Sequence, residues 1–294
     1  MRIKDFFELL KSAAFKWSEH NAPRLGAALA YYMLLSLAPL LIIVVAICGL
    51  VFSEATVKQQ VLMQVRTLAG AAGENSVSML IENAHRPQNG TLATFIALLT
   101  LLSGASGVFM ELRESLNTIW EAPSQSSTNW LHLIRQRLIS FGMVLALGLS
   151  LLVSLILSTA LAIAERFFFD LIPIQITILS EIANIVVSLL AISVLFGLIF
   201  KFVPDVRIYW RDVTIGAVFT AVLFSVGKTV LSLYLGTVGV GSTYGAAGSL
   251  VALVVWAYYS AQIFFFGAVF TRVYTEKWGS KKEVQPLFTT RQPA

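Results

Sequence analysis

The chain of 294 residues has one cysteine, Cys48, so it forms no intramolecular disulfide and gives no indication of redox compartment. Histidine is almost as scarce. His20, His85 and His132 stand far apart with no histidine or cysteine at ligand spacing, so no metal site is expected. The sequence has no Walker-type phosphate loop and no Gly-x-Ser-x-Gly elbow. The glycines of Gly239-Val240-Gly241-Ser242-Thr243-Tyr244-Gly245 lack a following lysine and read as a flexible, close-packing turn between two spans rather than a nucleotide cradle. No catalytic residue, no cofactor and no enzymatic activity is therefore expected. Charge is also thin: 13% of residues are charged against 57% hydrophobic, with a mean hydropathy of +0.78. A soluble protein of this size would be left without enough polar surface.

Long apolar runs take the place of these missing features. Six of them, at 26–52, 91–110, 138–164, 182–200, 213–234 and 248–270, are bounded by charged loops. A bilayer core of ~30 Å needs about 20 helical residues, so each run is long enough to cross it. The expected fold is all-α, a polytopic six-transmembrane-helix bundle. The 25 residues ahead of the first span are too long and too charged for the front of a cleaved signal, and the span should remain as an anchor. No repeat, low-complexity tract or folded extramembrane domain is evident.

Charge sets the orientation. Sixteen of the 21 Lys and Arg residues fall before the first span, after the sixth, or in the loops between spans two and three and spans four and five. Lys58, Arg66, Arg86 and Arg166 lie on the other side, and Lys228 is inside a span. Cationic loops resist translocation, so both termini are expected in the cytoplasm. The net charge of +5 and pI near 9.4 follow from this segregation, and nucleic acid is not an expected partner.

The soluble parts are short. Residues 1–25 form a cytoplasmic amphipathic N-terminal segment in which Phe6, Leu9, Leu10, Ala13, Ala14 and Trp17 recur at helical spacing. This helix suits the membrane interface, and it suits packing on the bundle equally well. In the largest external segment, 54–84, Val57, Val61, Val65 and Leu68 predict one helix before a break at Gly70-Ala71-Ala72-Gly73, with a second near 76–84. Residues 271–294 make a basic cytoplasmic tail.

Polar residues within the spans carry the functional signal. A lysine in hydrocarbon costs ~2.5 kcal/mol or more, so Lys228 calls for a partner or a water-filled cavity. Thr214, Ala217, Ala221, Ser225, Lys228 and Ser232 fall on one helical face that should look into the bundle, with Val218, Phe219, Val222, Val226 and Val230 on the other. The second reading is that Lys228, six residues from Tyr234, snorkels to the external headgroups. Glu181, Asn184 and Ser188 share a face of the fourth span in the same leaflet and are the expected partners across a polar cavity. Trp256 and Tyr259, near the middle of the sixth span with Tyr258, Ser260 and Gln262, either bind substrate or pack. Toward the cytoplasm, Glu111 and Glu114 continue one stripe of the second span and form a rim with Arg113, Arg135, Arg137 or Arg211, for which a structural ion-pair girdle is the plainest account.

The sequence resembles the YihY/BrkB family of bacterial inner-membrane proteins. The resemblance rests on Arg24-Leu25-Gly26-Ala27-Ala28-Leu29-Ala30-Tyr31-Tyr32 with Ser36 and Pro39; on Ser106-Gly107 and Leu116-Asn117-Thr118-Ile119-Trp120; on Phe202-Val203-Pro204-Asp205 with Trp210-Arg211-Asp212 and Gly216-Ala217; and on Thr243-Tyr244-Gly245-Ala246 leading to Trp256, Tyr259 and Ser260. It implies a six-span bundle with cytoplasmic ends and a cell-envelope role suspected to be transport. It also brings an old label, ribonuclease BN, which the isolated His20 and His132 do not support. The expected function is transport or flipping of an amphipathic, lipid-like molecule among membrane lipids. The alternative is a non-transporting structural or assembly factor of the envelope, binding a membrane-protein partner or forming a homo-oligomer.

Overall fold

The computed structural model describes residues 3–49, 54–84, 107–122, 176–237, 248–279 and 285–286. The expected spans at 91–110, up to residue 106, and at 138–164 lie outside the described residues, as does the glycine string at 239–245. Described are α1 (Ile3–Glu19), α2 (Ala22–Gly49), α3 (Glu54–Ala84), a helical segment α4 (107–119), α5 (Ile176–Phe202), α6 (Trp210–Thr237) and α7 (Gly248–Trp278). The two-residue strands β1 (Val206–Arg207) and β2 (Gln285–Pro286) pair antiparallel, so the C-terminal tail returns to the loop between α5 and α6. The protein is all-α. Among the described residues, Trp210–Tyr234 of α6 and Leu250–Trp278 of α7 are long and apolar enough to cross a membrane. Helix α7 runs eight residues past the expected end of the sixth span, to Trp278.

Close approach of α6 to α7 comes from two glycines and two threonines. Gly216 faces Thr271 and Gly267 faces Thr220, so a Gly-x-x-x-Thr step on each antiparallel helix fits the other's. A Cβ added at Gly216 would lie 2.7 Å from Thr271 Cβ, and one at Gly267 would lie 2.8 Å from Thr220 Cβ. Small residues let the backbones meet at this distance, and dispersion replaces the hydrophobic drive that lipid cannot supply. Each buried threonine is satisfied within its own helix: Thr220 Oγ1 donates to Gly216 O and Thr271 Oγ1 to Gly267 O, both at 2.7 Å. Helix α5 packs on the adjacent side of α6, where Gly197 meets Ala217 and Val213, and Phe196, Phe200, Phe224 and Phe264 interlock as rings.

The outer faces are apolar. On α6, Val218, Val222, Val226 and Val230 are exposed at helical spacing, and on α5 Val186, Leu190, Val194, Leu198 and Phe202 repeat every four residues. Such stripes are expected against lipid and would be a liability in water. Ala217 and Ala221 are buried, as the small-residue face predicts, but Thr214 and Ser232 near the two ends of α6 are exposed. The inward face thus covers the middle of the helix rather than its whole length.

Helix α3 doubles back. Its backbone is helical throughout Glu54–Ala84, yet Lys58 Nζ lies 3.3 Å from Glu82 Oε1. A straight helix would hold those residues about 36 Å apart, at 1.5 Å per residue. Val77 and Ile81 pack on Val61, Leu62 and Val65, closing the two arms around the Gly70–Gly73 stretch and against Leu37 of α2. Helix α1 packs on the end of α7: Leu9 and Ala13 are fully buried, and Phe6 makes edge contacts with Phe219 and Phe270.

Candidate functional site

The segments that charge assigns to one side of the membrane meet at one end of the helices, here called the basic end. Asp205, in the turn after α5, is held from α4 by Arg113 Nη2 and Nε at 2.6 and 3.0 Å and by Asn117 Nδ2 at 2.8 Å. Its own backbone N–H donates to Asn117 Oδ1 at 2.8 Å. A bidentate guanidinium and a reciprocal amide pair fix α4 to the α5–α6 turn with directional, charge-assisted bonds. The same turn is closed by Lys201 Nζ, which donates to Ile208 O and lies 5.7 Å from the Trp210 ring centroid.

Arg272, six residues before the end of α7 and only 6% exposed, joins the other elements. Its Nη2 pairs with Glu121 Oε2 at 2.7 Å and its Nε with Glu276 Oε1 at 2.8 Å. Its Nη1 donates to Ile119 O at the end of α4 and approaches His20 Nε2 at 3.2 Å. Glu276 also receives Lys16 Nζ of α1 at 2.7 Å. A guanidinium only donates, so His20 accepts at Nε2 and carries its proton on Nδ1. Burial, reinforced by the Arg272 charge, holds His20 below its usual range and keeps it neutral. The hydrogen bond from Arg272 lowers the Glu121 carboxyl.

Backbone geometry supports this cluster. Glu121 has φ 48°, and its neighbours close α4 with the bonds Glu121 N to Thr118 O (3.2 Å) and Ala122 N to Asn117 O (2.9 Å), the pattern that usually places glycine at this position. A glutamate there accepts ~1 kcal/mol of strain and delivers a carboxylate to Arg272. Asn21, with φ 51°, makes the corresponding left-handed turn between α1 and α2.

The expected rim residues lie at this end but in other roles. Glu111 accepts from Ser115 Oγ at 3.4 Å, Glu114 is exposed, and Arg211 is exposed with its carbonyl accepting from Thr214. Among the described residues neither Glu111 nor Glu114 pairs with Arg113 or Arg211; Arg113 goes to Asp205 instead. Asp205, Asn117, Glu121, Glu276 and His20 were not distinguished by spacing. The signal that was present was the clustering of Asn117 and Asp205 in the two motifs, Leu116–Trp120 and Phe202–Asp205, that carry the family resemblance.

Lys228 lies toward the opposite end. The contacts Gly216–Thr271, Gly267–Thr220 and Gly227–Tyr259 set one antiparallel register, which puts Lys228 level with Tyr259 and about 20 Å along the axis from Arg272. A Cβ on Gly227 would meet the Tyr259 ring at 3.1 Å and its hydroxyl at 3.3 Å, so this tyrosine occupies the turn beside the lysine. Lys228 and Ser225 are half-buried, and among the described residues Lys228 forms no ion pair or hydrogen bond. Tyr209, Trp210 and Trp278 are partly exposed at the basic end, where such rings mark the interface. Lys228 is eighteen residues beyond Trp210, about 27 Å, against a hydrocarbon core of ~30 Å.

On α5, Ser188 is exposed; Glu181 and Asn184 lie in the helical stretch, but their side chains are outside the described residues. The Gly197–Ala217 and Gly197–Val213 contacts, extended along the pair, bring backbone position 184 level with Lys228. Trp256 is half-buried, and Gln262 reaches α2, its Nε2 donating to Pro23 O at 3.3 Å opposite Gly26. The described residues hold no group of three or more His, Cys, Asp or Glu suited to a metal.

Two apolar helices of membrane length with apolar outer stripes suit an integral membrane protein, and the family and relatives that the chain matches support that class. The chain belongs to the BrkB family, whose model, described as Virulence factor BrkB, matches residues 13–291. It is similar to a ribonuclease-like protein, YfkH, of Bacillus subtilis (27% identity; 88% of this chain, 92% of the relative). It is also similar to a UPF0761 membrane protein of Tolumonas auensis (28%; 88% and 83%) and to another of Alteromonas mediterranea (27%; 96% and 91%). No solved structure matches it.

Proposed function

We propose that this protein is a six-span transporter or flippase of the bacterial inner membrane, with both termini cytoplasmic, that moves an amphipathic, lipid-like molecule. The observation that carries this reading is half-buried Lys228, which among the described residues makes no ion pair or hydrogen bond, next in sequence to Gly227 where Tyr259 packs and about 27 Å along α6 from Trp210. A phosphate headgroup is the natural counter-ion at that depth, while its acyl chains stay in lipid along the apolar stripes. In this reading the lysine reaches headgroups near the edge of the core, one residue along α6 from where Tyr259 of α7 packs on Gly227. The proposed headgroup surface also draws on Ser188, Ser225 and Trp256; the side chains of Glu181 and Asn184, expected there from the sequence, lie outside the described residues. The Arg272 and Asp205 clusters close the opposite end, so a molecule entering from the outer leaflet meets a seal about 20 Å further in.

The chain has no nucleotide motif and acts passively, by potential or through a partner. The ribonuclease-like name of the Bacillus relative is not carried over: His20 is engaged with Arg272, and the cluster it belongs to is an ion-pair junction rather than an acid and base beside a phosphate clamp. Incubating the purified protein with RNA, with and without zinc, beside an unrelated membrane-protein control tests that point. The transport reading is tested by lipid analysis of purified wild type against Lys228→Ala. Depletion of an anionic lipid from the variant supports it; identical profiles together with a stable co-purifying membrane protein would favour the assembly-factor role.

A further inference from the structure

The side of α1 turned away from the bundle is unlike that of an ordinary solvated helix. Phe7 and Phe15 are 66% and 72% exposed, and with Lys11 between them they form one row at intervals of four residues, with exposed Lys4 alongside. The opposite side is fixed: Leu9 and Ala13 are buried, Lys16 is paired to Glu276, and Ser12 accepts from Lys277 Nζ at 2.9 Å. The helix therefore cannot roll to bury its phenylalanines against α7. Its N-terminal half is also continuous with surface that faces lipid, because Phe6 touches Phe219, the neighbour of the exposed Val218 on α6. Arg207, Arg211 and Arg24 add exposed cations at this end, and Tyr209, Trp210 and Trp278 supply interfacial rings. The exposed carboxylates of α1, Glu8 and Glu19, sit at one edge of the face, leaving the row itself cationic and aromatic.

We infer that this outward face of α1 docks on an anionic lipid surface, the headgroup layer of the leaflet at the basic end. Phe7 and Phe15 enter the boundary between headgroups and acyl chains, while Lys4 and Lys11 pair with lipid phosphates. A helix lying in the interface gains from buried apolar area and from the attraction of its lysines to an anionic surface. The inference rests on the orientation proposed above for the side on which it operates, and is independent of what Lys228 binds.

The test uses the full chain in a Cys48→Ser background with a single cysteine at Phe7 or Phe15 carrying a nitroxide, in nanodiscs of phosphatidylcholine with or without phosphatidylglycerol. Collision with oxygen should exceed collision with a water-soluble nickel chelate at both positions. Adding phosphatidylglycerol should reduce nickel access several-fold, and Lys4→Gln with Lys11→Gln should abolish that dependence. Nickel access that is high and equal in both lipids would overturn the inference, as would shielding from both reagents, which would place a protein on the face. A membrane-impermeant thiol reagent applied to intact cells separates the two claims: labelling from outside refutes the cytoplasmic orientation whatever the collision data show.

Discussion

Replacing Gly216 by alanine should loosen the junction of α6 and α7. The new methyl would stand 2.7 Å from both Thr271 Cβ and Thr271 Cγ2, and that Cβ is tied to the α7 backbone, so no rotamer relieves the clash. Ordinary contact requires the helices to part by about 1 Å, an overpacking cost of ~1–3 kcal/mol, against which alanine returns ~0.8–1.0 kcal/mol of helix propensity. The net loss is up to about 2 kcal/mol, or a midpoint lower by up to about 8 °C on soluble-domain scaling. Gly197→Ala is the internal control. Its methyl meets Ala217 Cβ at 3.6 Å, an ordinary contact, so this variant should match or exceed wild type. Removing the obstacle with Thr271→Gly should make Gly216→Ala much less costly, giving a favourable coupling in the double-mutant cycle. The assay is thermal loss of the monodisperse peak in size-exclusion chromatography of detergent-solubilised protein. A Gly216→Ala midpoint at or above wild type, or a Gly197→Ala midpoint that falls as far, would refute the reasoning.

Two further outcomes concern the basic end. Asp205→Ala leaves Arg113 and Asn117 without their acceptor at side chains only about one-fifth exposed, and should cost about 2–3 kcal/mol, below the full buried-pair penalty because of that residual solvent; Asp205→Asn should cost less, read by the same thermal assay. For His20, the folded pKa lies below the unfolded 6.5, so the unfolded chain binds the extra proton first. Stability is therefore full above about pH 6.5 and declines as pH falls toward the lower folded value, with the lowered Glu121 adding a further loss only below its ordinary 4.5. His20→Gln should flatten the first part of a midpoint-against-pH curve and leave the second; an unchanged slope just below pH 6.5 would contradict the assignment.

Periodicity made the helices and their faces legible before any coordinates. Ala217 and Ala221 are inside and Val218, Val222, Val226 and Val230 outside because a 3.6-residue repeat maps directly onto a helix surface. The Gly70–Gly73 break announced the reversal in α3, since two glycines three apart weaken a helix where the hydrophobic stripe changes phase. The clusters at the basic end were not legible. Arg113 and Asp205 are 92 residues apart, and Arg272 and His20 are 252 apart, while charge counting assigns a residue to a side of the membrane without choosing its partner there. Arg272 was read as part of a basic tail because the apolar run ends at Phe270, yet α7 continues and takes it inside. Glu121 was hidden for a different reason: a non-glycine left-handed cap has no sequence signature.

Transbilayer movement of a fluorescent phosphatidylglycerol in proteoliposomes, followed by quenching of the outer leaflet with dithionite, puts Lys228 to the most direct test. Wild type should exceed protein-free vesicles, Lys228→Arg should retain most of the rate, and Lys228→Ala should fall to the vesicle baseline while eluting as a folded, monodisperse protein. Equal rates for wild type and Lys228→Ala, or no movement above baseline with either, would contradict a headgroup site at this lysine.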